Sequence, residues 1–214
     1  MNDFSFRIKP KSFDKHFNNM PHRVLLLGHS FVHRLGSFVA NHPDWVDLGF
    51  YDIQVHFSGI GGGTLRNGPK CITSQSKMEV MNTFHPHAVV LQIGGNDLSD
   101  PDCDPCRLAR DIIAFAQFLI SGYGVSHVII CQLFPRFADR CYAHYNDHVY
   151  RVNSELSRML HNDTNISLWH NRGFWQNPRS LIGYDGVHLN HHGMVKYARN
   201  MRAAIGINQK RGSF

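Results

Sequence analysis

Val24-Leu25-Leu26-Leu27-Gly28-His29-Ser30 sets four apolar residues in a row, stops them with glycine and follows with a polar pair. So short and uniform an apolar run suits a strand buried on both faces, as in a parallel sheet, better than a strand with one wet face. The segments downstream alternate in the same sense. Phe31 to about Ala40 reads as a helix, and Asp52–Phe57 alternates Ile53, Val55 and Phe57 as a second strand. Met78, Met81 and Phe84 carry helical spacing, and Ala88–Ile93 is a third apolar run. Leu108, Ile112, Phe115 and Leu119 mark a helix over Pro105–Leu119, and Val128–Phe134 is a fourth strand stopped by Pro135. A helix over Tyr145–Leu160, a short strand Ile166–Trp169 and a helix over Gly193–Ile205 complete the series. Strands alternating with helices predict an α/β fold with a central parallel sheet of about five strands. In such sheets ligands bind at the carboxyl ends of the strands, so the residues just after each strand carry the functional interest.

The chain has 214 residues, 43% of them hydrophobic, which is enough for one domain with its own core and excludes a disordered or fibrous chain. Its formal charge is +6, with 16 His, a composition that invites nucleic-acid or metal binding. The charge, however, sits at the ends. Arg7, Lys9, Lys11 and Lys15 against Asp3 and Asp14 leave residues 1–20 at +2, and Lys210 and Arg211 put +2 on residues 207–214. Only +2 remains on 21–206. The expected organisation is therefore a basic N-terminal extension over 1–20, one domain over 21–206 and a C-terminal tail over 207–214. The N-terminus lacks the apolar core of a signal peptide, and no apolar run approaches the ~20 residues of a spanning helix. Five cysteines without regular spacing fit free thiols in a reducing, cytoplasmic setting.

Four positions carry chemistry. Ser30 follows the first strand at the turn into a helix, where it suits either an N-cap or a nucleophile beside the positive helix end. Gly59-Ile60-Gly61-Gly62-Gly63-Thr64 follows the second strand. It is neither a dinucleotide fingerprint nor a P-loop, since Gly68 is followed by Pro69 and not by Lys. Taken alone it fits a tight turn as well as an anion-binding backbone. Asn96, in Gly94-Gly95-Asn96-Asp97, ends the third strand, and its amide could cap a turn or donate to an oxyanion. The fourth motif is the strongest: in Asp185-Gly186-Val187-His188 a local turn brings carboxylate and imidazole together, the pairing a general base needs.

The order of these motifs resembles that of the SGNH hydrolase superfamily, the GDSL-like esterases and lipases. Serine after strand one, glycine after strand two, Asn after strand three and Asp-x-x-His before the last helix match the family's four blocks across residues 22–206. The resemblance implies a three-layer α/β/α sandwich, flavodoxin-like. It also implies a serine esterase acting on O-esters and requiring no cofactor and no metal, and the little length left for a lid favours a shallow site and short acyl groups such as acetyl. Ser30 would be the nucleophile, His188 the base and Asp185 its orienting partner. The oxyanion hole would comprise the Ser30 N–H, the Gly62 N–H (aligned in preference to Gly61 or Gly63) and the Asn96 side chain. One residue departs from the family: Gly-Asp-Ser in the first block is Gly28-His29-Ser30 here. Because Asp185 holds the carboxylate role, the change bears on packing around Ser30 and not on the triad.

Two other readings compete. His188, His191 and His192 stand close in sequence, but position 188 precedes the expected helix and no Glu-containing zinc motif is present; Cys103-Asp104-Pro105-Cys106 is half of a zinc-ribbon pattern without its second half. The other is a catalytically weak SGNH-like binding module that holds nucleic acid through basic ends, resembling domains of mobile-element proteins. The intact Ser30, Asn96, Asp185 and His188 favour the esterase, whose partner is a small-molecule, glycan or lipid ester and which has no membrane span.

Overall fold

The computed structural model describes residues 21–66, 68–139 and 141–214. The basic extension expected over 1–20 lies outside these residues. Five strands form one all-parallel sheet: β1 (His22–Gly28), β2 (Ile53–Gly59), β3 (Ala88–Gln92), β4 (His127–Cys131) and β5 (Ile166–Trp169). Their order is β2-β1-β3-β4-β5, the flavodoxin-like arrangement. Among the described residues five α-helices cover it: α1 (Ser30–Ala40), α2 (Gln75–Phe84), α3 (Pro105–Tyr123), α4 (Tyr145–Met159) and α5 (His191–Lys210).

The unbroken apolar run in β1 has a direct structural cause. Val24 and Leu26 pack into a core shared with Phe31, Val32 and Leu35 of α1 and Met194, Met201 and Ile205 of α5. Leu25 and Leu27 point the other way, into a core with Met78 and Met81 of α2, Ile112 of α3 and Val149 of α4. Successive residues of a strand face opposite sides, so a strand between two helical layers needs apolar residues at every position. β3 and β4 follow the same logic and are buried throughout. The edge strand β2 buries Ile53 and Val55 while Gln54 and His56 stay exposed, which is the alternation its sequence carries. The three-layer α/β/α sandwich follows.

Three expected boundaries moved by three residues or more, and the first is that α3 runs past Leu119 to Tyr123, where Gly124 caps it. β4 ends at Cys131, not Phe134. The buried Asn153 side chain of α4 takes both backbone groups of Leu133, accepting from its N–H at 2.8 Å and donating to its carbonyl at 3.0 Å. Asn146, two turns earlier, clamps the N–H and carbonyl of Arg136 in the same way, both at 2.9 Å. The chain leaves the sheet because α4 offers these hydrogen bonds in place of a ladder. α5 continues past Ile205 to Lys210, so the segment expected as a tail from 207 begins inside the helix, and Phe214 packs beside the α1/α5 core. No helix among the described residues is long and apolar enough to cross a membrane.

Candidate active site

The site forms where the carboxyl ends of β1, β2 and β3 lie side by side. Gly28 is the register partner of both Gly59 and Gln92, so the loops that leave these strands start as neighbours. Gly28 itself is required by contact: a Cβ there would strike the carbonyl oxygen of Gln92. Directly afterwards the chain turns into α1, and Ser30 is the first residue of that helix. The cap is His29, whose Nδ1 accepts from the Phe31 N–H at 3.4 Å. Capping therefore does not occupy the Ser30 hydroxyl. Its N–H belongs to the first helical turn, where N–H groups lack intrahelical partners and the dipole favours negative charge.

The Ser30 hydroxyl lies 3.1 Å from His188 Nε2, and His188 Nδ1 lies 2.7 Å from Asp185 Oδ2. Residues 158 positions apart are thus joined through one imidazole. The Asp-x-x-His spacing works through a tight local turn. Asp185 Oδ1 accepts the N–H groups of Val187 and His188, each at 2.9 Å, and leaves Oδ2 for the ring. Desolvation alone would raise the Asp185 pKa. The two backbone hydrogen bonds and the His188 ring outweigh it and hold the carboxyl well below the usual carboxylate range. An ionised Asp185 accepts from Nδ1–H, which places the imidazole lone pair on Nε2, facing Ser30.

The loop carrying this pair is seated from both sides. The Gly186 carbonyl accepts from the Phe137 N–H at 2.6 Å, and a Cβ on Gly186 would run into the backbone of Phe137 and Ala138. At its far end Asn190 caps α5, accepting from the Gly193 N–H at 2.9 Å, and ties back to the carbonyl of Ser180.

The glycine loop turns at Gly62, with φ at +75°, and the Gly63 N–H closes the turn on the Ile60 carbonyl at 3.0 Å. That hydrogen bond engages Gly63. Gly61 and Gly62 keep N–H groups with no acceptor among the described residues. Asn96 makes no cap hydrogen bond. Its Nδ2 donates to the Gly63 carbonyl at 3.0 Å, binding the β3 loop to the glycine loop. Asp97 adds a second tie, accepting from the N–H groups of Leu65 and Arg66 at 2.9 and 3.3 Å. Burial raises the Asp97 pKa, against these hydrogen bonds, and its Oδ2 has no partner among the described residues.

His29, the departure in the first block, is only 2% exposed. Burial first, and then the charges of Arg136 and His188, push its pKa down to about 3, so the ring is neutral beside Ser30. Arg136 is the side chain that motif reading passed over. It donates to Asn96 Oδ1 from Nη2 at 2.8 Å. Its signal was positional, since it follows the fourth strand in Phe134-Pro135-Arg136. Neither His191 and His192 nor the Cys103/Cys106 pair enters a cluster of three or more metal-ligating side chains among the described residues.

Solved structures share this architecture. A GDSL-like lipase from Bacteroides thetaiotaomicron superposes with a TM-score of 0.63 at 18% identity, covering 86% of this chain and 87% of that one. The chain has the fold of the GDSL-like hydrolases. A variant of an acetyl-xylooligosaccharide esterase from Geobacillus gives 0.64 at 16% identity, covering 88% and 96%. A lipase/acylhydrolase from Enterococcus faecalis gives 0.59 at 15%, also covering 88% and 96%. No family model and no curated protein matches the sequence.

Proposed function

We propose that the chain is an SGNH-type serine hydrolase that cleaves O-esters with short acyl groups such as acetyl. The observation that carries this reading is the imidazole of His188 bridging Ser30 Oγ and Asp185 Oδ2 at hydrogen-bond distances on both sides. In the reaction, Ser30 Oγ attacks the ester carbonyl carbon as His188 Nε2 takes the hydroxyl proton. The carbonyl π pair moves onto oxygen, and the Ser30 N–H, the Gly62 N–H and the Asn96 amide donate to that oxyanion. Collapse re-forms the carbonyl and expels the alcohol, which leaves with the proton from His188. Water then attacks the acyl-serine, His188 again takes a proton, and collapse releases the acid and restores Ser30. The Gly62 N–H and the second Asn96 Nδ2 hydrogen, each without an acceptor among the described residues, support their places in the hole.

The test is hydrolysis of p-nitrophenyl acetate by the purified protein and by Ser30→Ala. The wild type is expected to turn over and the variant to lose that activity while keeping its thermal midpoint. Equal rates in the two proteins, or no hydrolysis of any short acyl ester by wild type, would overturn the assignment.

A further inference from the structure

The β4–α4 loop brings a charge to this site. Arg136 donates from Nη2 to Asn96 Oδ1 and from Nη1 to Ser99 Oγ, both at 2.8 Å. Its guanidinium lies over the Tyr145 ring, 5.0 Å from the centroid, and the buried Tyr145 hydroxyl donates to the Gly95 carbonyl at 2.9 Å. With Asn146 holding both of its backbone groups, Arg136 is fixed at its two ends within the protein itself. It makes no ion pair among the described residues, so its charge is not cancelled by a neighbouring carboxylate.

Asn96 feels the consequence. Its carboxamide can sit in two orientations, and the neighbours admit only one. Nδ2 must face the Gly63 carbonyl and Oδ1 must face the guanidinium; the flipped amide would oppose donor to donor and acceptor to acceptor. One Nδ2 hydrogen serves Gly63, and the second has no acceptor among the described residues. A cation on Oδ1 draws electron density toward that oxygen and makes the remaining N–H a stronger donor. Resting on the reading of Ser30 as nucleophile, we propose that Arg136 is a positioning residue for the oxyanion hole. It locks the Asn96 carboxamide in its donating orientation and polarises it toward the developing oxyanion.

The test compares Arg136→Met, Arg136→Lys, Asn96→Ala and the Arg136→Met/Asn96→Ala pair on p-nitrophenyl acetate. Because the hole acts in the transition state, Arg136→Met is expected to lower kcat by roughly ten- to a hundredfold with KM held within about twofold. Arg136→Lys recovers part of the loss. The double variant is no slower than Asn96→Ala alone, since Arg136 acts through that amide. A kcat unchanged in Arg136→Met overturns the proposal, and so do additive losses in the double variant. In ¹⁵N-labelled protein the Asn96 side-chain amide resonances should shift in Arg136→Met while the backbone spectrum persists; unmoved resonances overturn the proposal whatever the activity. Should wild type hydrolyse no ester, the nucleophile reading fails by itself. The amide resonances then still decide whether Arg136 orients Asn96.

Discussion

Acidification should destabilise this protein through His29, and the size of the effect follows from its burial. In the unfolded chain an imidazole gains a proton as pH falls through its ordinary value of 6.5; in the fold His29 resists until about 3. Between those values the unfolded state binds one more proton, so stability falls as pH falls, by about 1.4 kcal/mol per pH unit. From pH 7 to pH 4 the contribution of this one ring comes to about 3 kcal/mol. His29→Asn removes the titration and keeps a side chain that can cap α1. The measurement is urea unfolding followed by circular dichroism at pH 7 and pH 4 for both proteins. His87 and His127, also lowered by burial, and Asp185, held low by its hydrogen bonds, are common to both and cancel in the comparison. Wild type is expected to lose about 3 kcal/mol more than the variant between the two pH values. Equal losses would refute a neutral buried His29.

Other substitutions test the site and its supports. Asp185→Asn leaves the turn but removes the charge that orients His188, and kcat on p-nitrophenyl acetate should fall about a thousandfold or more. Asn96→Ala removes one donor to the oxyanion and should lower kcat by about 10²–10³, read in the same assay with KM little changed. Asn153→Ala strands the N–H and carbonyl of Leu133 in the core; urea denaturation should show a loss of about 2–4 kcal/mol, and a loss under 1 would argue that water replaces the clamp.

Much of the architecture was legible because burial on two faces leaves a mark at every residue. The uniform apolar runs of β1, β3 and β4 could be read as central strands, and the alternation over Ile53, Val55 and Phe57 as a strand with one open face. Asp185 and His188 were legible for a related reason: three residues of separation make their meeting a local event. Boundaries set by distant groups were not. Nothing within Val128–Phe134 announces that Asn153 will claim the backbone of Leu133, and nothing near Ile205 shows that α5 finds packing as far as Asn208 and runs on to Lys210.

By itself, then, the sequence determined the layer architecture, the places where loops leave the strands and the residue types available there. Periodicity and local turns are short-range properties, written in neighbouring residues. Only the tertiary structure decided how those residues are used. It brought Ser30 within 3.1 Å of an imidazole 158 positions away, and it gave the cap of α1 to His29 and not to Ser30. It also made that histidine neutral through burial beside Arg136, and set the same Arg136 on the oxygen of Asn96. Protonation states and amide orientations depend on what packs against a group from other elements, and that is fixed only when the sheet places its strand ends side by side.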